Sequence, residues 1–198
     1  MTNPVQKKFD NPSKLFIWLY SFGNYFRSRS YYDKLLNELN LHGNESVMDF
    51  GSGVGSLARK LALKLQHGGQ LTCVDVSKNL LDHTRHKLKK YNNISYFLGA
   101  IENSTLEAES FDIIVSTWVF HHLDKANLSQ TITKLRKLLK KDGKIYIIEF
   151  PDSKYNHTKL LQSDLIDFFT QLDFTFRIIF SQKQGILYEF VKSKSLTN

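Results

Sequence analysis

The chain has 198 residues, of which 41% are apolar and 23% charged, and it carries a net charge of +8 at pH 7. This length and balance suit one globular domain with a full core and exclude a chain that is disordered throughout. The single cysteine, Cys73, excludes an intrachain disulfide framework and fits a reducing, cytoplasmic compartment, while neither an apolar run of about 18 residues nor a signal-peptide pattern occurs.

Strand and helix patterns alternate along the chain after an N-terminal extension. Residues 1–44 are predicted to form a helical and aromatic extension of the same domain, and residues 45–198 are predicted to form its core. Short apolar runs predict strands, and leucines at helical spacing predict the helices between them. The predicted strands cover residues 46–50, 70–76, 94–100, 111–117, 144–150, 174–181 and 185–193.

The predicted helices carry residues that commonly begin or end a helix. Ser77 is placed to cap a helix that carries Leu80 and Thr84, and Asp124 is placed to cap a lysine-rich helix. Gly143 stands where a glycine often ends such a helix. Strand–helix alternation with apolar strands predicts an α/β fold. We expect a doubly wound, seven-stranded, Rossmann-like sheet that is mostly parallel, with an antiparallel strand near the C-terminus.

The positive charge is densest in one stretch near the end of the lysine-rich helix. One interpretation is attraction of an anionic partner such as nucleic acid or lipid headgroups. The other is a solvated helix face, which the interleaved leucines favour. The basic residues of this stretch are Lys134, Arg136, Lys137, Lys140, Lys141 and Lys144.

A glycine cluster follows the first predicted strand. Gly51, Gly53 and Gly55 have the spacing Gly-x-Gly-x-Gly, which differs from the Gly-x-Gly-x-x-Gly of dinucleotide-binding loops. Asp49 precedes the cluster, and Asp75 closes the second predicted strand, where a carboxylate can accept both hydroxyls of a ribose. Ligands of open parallel sheets bind beyond the carboxyl ends of the strands, so this combination predicts a cofactor site.

These patterns resemble the class I S-adenosylmethionine-dependent methyltransferases, and most closely the broad group of quinone-biosynthesis and other small-molecule methyltransferases. The resemblance covers about residues 45–150 and implies S-adenosylmethionine as the cofactor. The segments that carry it are VMDFGSGVGSLARKLA, LTCVDVSKNLLDHTRHKL, ESFDIIVSTWVFHHLDK and LLKKDGKIYIIEF.

The resemblance also implies roles for individual residues around the cofactor. The loop would cradle the methionine and ribose parts, Asp49 would orient the methionine ammonium, and Asp75 would hold the ribose. Val76 and Ile101 would lie against the two faces of the adenine. The loop residues with this implied role are Gly51, Ser52, Gly53 and Gly55.

One position departs from the family pattern. Many members carry an aspartate that receives the adenine amino group where this chain has Ala100. Either Glu102 would substitute from two residues away, or the amino group would bind water or the backbone. At the methyl-donor end, the resemblance implies that Ser116, Thr117 and Trp118 line the site.

Two adjacent histidines follow the fourth predicted strand. Methyl transfer requires an aligned nucleophile and, for a hydroxyl or ammonium acceptor, removal of a proton; it requires no metal. His121 or His122 is a candidate general base, because imidazole titrates near neutral pH. The alternative is that these histidines only pack or hydrogen-bond locally at the end of the strand.

The N-terminal extension is rich in aromatic residues, including Trp18, Tyr20 and Tyr25. Three interpretations stay open: a substrate lid to which Trp118 also contributes, an interfacial membrane helix, and plain packing on the sheet. The expected acceptor is a small molecule or a lipid headgroup. RNA methylation, which the Ser116–Val119 sequence disfavours for base amines, and a non-catalytic binding protein are the alternatives, and the oligomeric state stays open.

Overall fold

A computed structural model describes residues 12–151 and 162–193 of the chain, and for residues 14–16 and 18–27 it describes the backbone only. Seven strands in these residues form a mixed sheet that is mostly parallel, with one antiparallel strand near the C-terminus, so the predicted α/β fold class is confirmed. The chain divides into two compact units, one ending at Ser104 and the other beginning at Thr105. None of the described helices is long and apolar enough to cross a membrane.

The first unit contains three parallel strands with β2 between β1 and β3. The register pairs Phe50 with Val74, so the carboxyl ends of β1 and β2 lie side by side. This arrangement brings the residues that follow each strand to the same edge of the sheet. The elements are α1 (Lys14–Leu39), β1 (Ser46–Phe50), α2 (Ser56–Lys64), β2 (Gln70–Asp75), α3 (Lys78–Lys87), β3 (Ile94–Leu98) and a one-turn 3-10 helix (Ile101–Asn103).

The second unit contains β4 and β5 as a parallel pair, and β7 runs antiparallel to both β5 and β6. The pairing of Thr117 with Ile148 places the end of β4 beside the end of β5, where Glu149 lies. The elements are β4 (Phe111–Thr117), a one-turn 3-10 helix (Phe120–His122), α4 (Lys125–Leu138), β5 (Leu139–Glu149), α5 (Gln162–Gln171), β6 (Phe174–Gln182) and β7 (Gly185–Lys192).

Both predicted N-terminal caps are present. The Ser77 side chain accepts a hydrogen bond from the Leu80 backbone N–H at 3.4 Å, and the Asp124 carboxylate accepts one from the Asn127 N–H at 2.9 Å. A side-chain acceptor at this position satisfies a backbone donor that the first turn of a helix leaves without a partner. The caps therefore fix where α3 and α4 begin.

The predicted role of Gly143 as the end of the lysine-rich helix is wrong. Helix α4 ends at Leu138, and β5 begins at once with Leu139, which pairs with Phe111. Gly143 is a buried residue of β5, and a Cβ there would lie 2.7 Å from a side-chain atom of Leu139. The basic stretch is consequently divided between a helix and a strand instead of following one helix face; Lys140, Lys141 and Lys144 belong to β5.

Candidate functional site

The glycine loop after β1 is held against the neighbouring strand by backbone hydrogen bonds. The N–H groups of Gly51 and Ser52 both donate to the Val74 carbonyl, at 2.8 and 3.0 Å. Gly51, Gly53 and Gly55 all have φ between 53° and 77°. Residues with a Cβ rarely adopt this left-handed conformation, so the turn depends on glycine.

Asp75 joins the glycine loop to the start of α3. One of its carboxylate oxygens accepts the Gly53 N–H at 2.8 Å, and the other accepts the Ser77 N–H at 2.8 Å. Only 8% of the residue is exposed. Burial raises the pKa of this carboxyl above its ordinary value, and the hydrogen bonds from Ser77 and Gly53 oppose that rise. Each carboxylate oxygen has a second lone pair, so Asp75 can accept further donors.

Helix α3 holds two carbonyl groups of the same loop. The Thr84 hydroxyl donates to the Gly53 carbonyl at 2.8 Å, and the Lys87 ammonium donates to the Val54 carbonyl at 2.9 Å. A Cβ on Gly55 would lie 2.7 Å from the Thr84 hydroxyl oxygen. The sequence analysis assigned neither side chain to the site. Their spacing of three residues predicts that they share one face of a helix, but it does not show which groups they bind.

Asp49 is buried near the end of β1, and its carboxylate has no hydrogen-bond partner among the described residues. Only 1% of the residue is exposed, and neither oxygen makes a hydrogen bond to the described part of the chain. Burial, with a smaller effect of the neighbouring Asp75 charge, raises the pKa of Asp49 to about 7. A buried carboxylate without donors is unfavourable, so this position is suited to a ligand that brings a cation or N–H donors.

The N-terminal segment contacts the glycine loop and α3. Ile17 of α1 forms a buried apolar cluster with Val54 of the loop and Leu80 of α3. The Asn79 side-chain amide donates to the Pro12 carbonyl at 3.1 Å. Of Trp18, Tyr20 and Tyr25, to which the lid role was assigned, the structure describes the backbone but not the side chains.

The residues expected beside the adenine differ strongly in exposure. Val76, directly after β2, is 61% exposed, whereas Ile101 is buried in the one-turn 3-10 helix. Ala100 and Glu102 flank Ile101 and are half-buried. An exposed apolar side chain at the carboxyl end of β2 is suited to contact a flat, apolar ligand ring.

In the second unit, the end of β4 carries the residues expected at the donor end. Ser116 is buried, and its hydroxyl makes no hydrogen bond to any residue that the structure describes. Thr117 is the last residue of β4 and is half-buried. Trp118 follows with φ of +55°, its N–H donates to the Ile148 carbonyl at 2.8 Å, and its indole N–H donates to the Gln184 carbonyl at 3.2 Å. Left-handed backbone at a bulky residue stores strain of the kind that often marks functional positions.

Glu149 at the end of β5 binds the turn that contains the two histidines. Its Oε1 accepts the Phe120 N–H at 2.7 Å, and its Oε2 lies 2.9 Å from Nδ1 of His121. Both His121 and Glu149 are buried, with 10% and 7% of their side chains exposed. The His122 ring centroid lies 3.9 Å from that of His121. The sequence prediction included both histidines but missed Glu149, whose only signal is a lone acid at the end of an apolar strand.

Metal binding has no support in the described ranges, where no group of three potential metal-ligating His, Cys, Asp or Glu side chains occurs. Within the first unit Asp49 and Asp75 lie with the glycine loop at the carboxyl ends of β1 and β2. Within the second unit, His121 and Ser116 lie at the carboxyl ends of the parallel pair β4 and β5.

The known proteins that this chain resembles include the following methyltransferases. A malonyl-[acyl-carrier protein] O-methyltransferase of Halalkalibacterium halodurans is 32% identical over 114 residues, which are 56% of this chain and 41% of that protein. The Homo sapiens N-terminal Xaa-Pro-Lys N-methyltransferase 1 is 27% identical over 167 residues, 82% of this chain and 72% of that protein. A solved S-adenosylmethionine-dependent methyltransferase from Aquifex aeolicus has a TM-score of 0.73 and 18% identity, covering 96% of this chain and 100% of that chain.

The chain spans about half the length of the first curated relatives that it matches. The family model described as a methyltransferase domain matches residues 48–147, which include the glycine loop, Asp75 and the two histidines. That match covers half of the chain, and the chain therefore belongs to the methyltransferase domain family, of the class I type with S-adenosylmethionine as cofactor that its motifs predicted.

Proposed function

We propose that this chain transfers a methyl group from S-adenosylmethionine to a small-molecule acceptor. The observation that carries the proposal is the unpartnered, buried Asp49 beside a glycine loop whose conformation Asp75 and α3 hold in place. The residues fit the cofactor, because a cationic ammonium group would supply the partner that Asp49 lacks. A Cβ on Gly53 would meet nothing closer than 3.9 Å, so this glycine leaves room for a ligand to approach the backbone closely.

The chemistry of the cofactor indicates which residues would bind it and which would accept a proton. S-adenosylmethionine supplies an activated methyl group on a sulfonium. Asp49 and the loop bind and orient the methionine part, and Asp75 offers its remaining lone pairs to the ribose hydroxyls. His121 is the candidate proton acceptor, since it is the histidine held by a carboxylate. The protein mainly aligns the acceptor and excludes water.

The acceptor class rests on the relatives and on the chain itself. The two curated relatives described above are named for an acyl-carrier-protein substrate and for a protein N-terminus, so acceptors differ within the family. Neither name involves RNA, and only the positive charge of the chain is compatible with an RNA acceptor. The resemblance to small-molecule methyltransferases makes a small molecule or a lipid headgroup our proposed acceptor, and a cytoplasmic location remains a prediction from the single cysteine.

The N-terminal segment is proposed to act as a substrate lid over the cofactor loop, one that serves the substrate more than the cofactor. Ile17 already packs on Val54 of the loop, which supports this role over packing on the sheet alone. Removal of residues 1–30 is expected to leave the core folded while methyl transfer is lost. An unfolded truncated chain would contradict the lid, and sedimentation of only the full-length chain with anionic vesicles would favour the membrane interpretation.

Calorimetric titration tests the proposed cofactor. We expect S-adenosylmethionine and S-adenosylhomocysteine to bind, and NAD to bind at least 100-fold more weakly, roughly 3 kcal/mol by the usual conversion. Asp75→Ala should weaken S-adenosylhomocysteine binding by about 1–3 kcal/mol, the cost of leaving donors unpaired. Tight NAD binding without S-adenosylmethionine binding at millimolar concentration would overturn the proposal.

A further inference from the structure

A surface groove lies at the amino ends of β2 and β3 in the first unit, and its volume is about 760 Å³. The end of α2 and the segment that follows it form one wall, and the segment between α3 and β3 forms the other. The glycine loop lies at the opposite, carboxyl end of β2. The groove is therefore outside the proposed cofactor site.

Asn93 joins the two walls of the groove. Its side-chain amide donates to the Leu65 carbonyl at 2.7 Å and to the Gly69 carbonyl at 2.9 Å, and its own carbonyl accepts the Leu71 N–H at 2.9 Å. A Cβ on Gly68 would meet no atom within 4 Å, so the backbone there borders open space. Because these contacts form the groove before a ligand arrives, binding costs little conformational entropy.

Tyr91 lines the groove and carries a hydroxyl that lacks a partner. The hydroxyl oxygen is buried and makes no hydrogen bond to any residue in the described part of the chain. Buried polar groups are nearly always hydrogen-bonded, because an unpaired one costs free energy. A ligand that reaches this hydroxyl would supply the missing acceptor.

The charge and the apolar surface of the groove indicate which ligand suits it. Lys90 is exposed, with its ammonium 5.0 Å from the centroid of the Tyr91 ring, and no acidic residue is among the described residues that line the groove. An exposed cation–π contact is weak, so Lys90 can turn from the ring to a ligand. Leu63 is 52% exposed and offers apolar surface to the same ligand.

We propose that this groove binds a small amphiphilic anion, namely a carboxylate on an aromatic or acyl group. The carboxylate accepts hydrogen bonds from the Tyr91 hydroxyl and the Lys90 ammonium, which are both donors. The apolar part covers Leu63 and removes its surface from water. The site goes beyond the proposed methyl transfer, because it uses none of the residues assigned to the cofactor or the acceptor.

Titration of the ¹⁵N-labelled full chain with benzoate tests the site, with benzamide as the neutral analogue of the same shape. At constant ionic strength, we expect benzoate to shift the assigned amide signals of Gly68, Gly69 and Asn93 in a saturable way. Benzamide should bind about tenfold more weakly, because it lacks the charge that strengthens both hydrogen bonds. Equal affinity for the two probes, or benzoate shifts spread over exposed lysines of the whole chain, would overturn the proposal.

Two lysines that are adjacent in sequence provide a matched pair of variants. Lys90→Gln should weaken benzoate binding about fivefold, the upper range for one exposed ion pair. Lys89→Gln should leave the affinity unchanged, because Lys89 is also exposed but does not line the groove. An equal loss in both variants would mean that benzoate responds only to the net charge of the chain, which contradicts the proposed site.

Tyr91→Phe separates the hydroxyl from the ring. This change should weaken benzoate binding about tenfold, as for loss of a hydrogen bond to a charged group. It should not lower the melting temperature of the ligand-free protein, because no hydrogen bond is lost there; a clear decrease would show that the hydroxyl already has a partner and would count against the proposal. S-adenosylhomocysteine should bind equally with and without benzoate. Competition between them would place benzoate in the cofactor site instead of the groove.

Discussion

Replacing Asp49 by asparagine is expected to stabilise the cofactor-free protein at pH 8 and to weaken its cofactor binding. Burial raises the pKa of Asp49 from 3.8 to about 7. Between these values the folded state holds a proton that the unfolded state has lost, so wild-type stability falls as the pH rises through this window and is level above it. At 1.36 kcal/mol per pKa unit, the buried charge costs at most about 4 kcal/mol at pH 8.

The asparagine side chain removes this charge but leaves a buried amide, which costs about 1–3 kcal/mol. The expected net gain at pH 8 is therefore about 1–3 kcal/mol, with a rise in melting temperature of about 2–4 °C for each kcal/mol. At pH 5 wild-type Asp49 is protonated, and the gain should disappear. S-adenosylmethionine should bind Asp49→Asn about 10-fold to 100-fold more weakly, because the ammonium loses a charged partner.

Thermal melting between pH 5 and pH 8.5 and calorimetric titration measure both effects. Asp75→Asn is the matched control. Burial raises the pKa of Asp75 as well, but its two oxygens each accept a backbone N–H, and the NH₂ of an asparagine would face one of these donors, so this change should destabilise the protein at pH 8 by about 1–3 kcal/mol. The reasoning would be refuted if Asp49→Asn lowered the melting temperature at pH 8 by as much as it does at pH 5. Asp49 would then have partners that favour its charged form.

Three further substitutions test other contacts. Gly55→Ala should weaken cofactor binding and destabilise the chain more than Gly68→Ala in urea unfolding, because both have positive φ but only the first would press a Cβ against Thr84. Thr84→Val should weaken S-adenosylhomocysteine binding several-fold and Thr84→Ser should not, since serine keeps the hydroxyl; equal losses would exclude the hydrogen bond as the cause. Glu189→Gln should flatten the fall in stability between pH 4.5 and 2, because burial would raise the pKa of Glu189 but hydrogen bonds from Arg177, Lys144 and Tyr146 lower it to about 2, which gives stability that is lost on acidification.

The backbone pattern of the chain was largely predictable from its sequence. The strands 46–50 and 111–117 and the caps at Ser77 and Asp124 agree with the structure, because each depends on local hydrophobicity or on one side chain. Gly143 was misassigned since its role depends on Leu139, a contact within an irregular strand that no periodicity indicates.

The side chains that complete the site were less predictable. Asp49, Asp75 and the loop glycines could be selected from their spacing in the sequence. Thr84, Lys87 and Glu149 instead hydrogen-bond to backbone groups that are 29 to 33 residues away in the sequence. Their chemistry depends on the distance to a backbone group, and sequence gives the residue type without that distance. Glu149 could have been singled out only as an acid that an otherwise apolar strand retains at its end.

The backbone N–H and the backbone carbonyl of Gly53 are both hydrogen-bonded within the protein before a ligand binds. Its N–H is bonded to Asp75 and its carbonyl to Thr84, while Lys87 holds the next carbonyl. Because folding already orders this loop, it loses little further conformational entropy when a ligand binds. Association with the cofactor should therefore be a single kinetic phase whose rate rises linearly with ligand concentration, without a slow step of loop rearrangement.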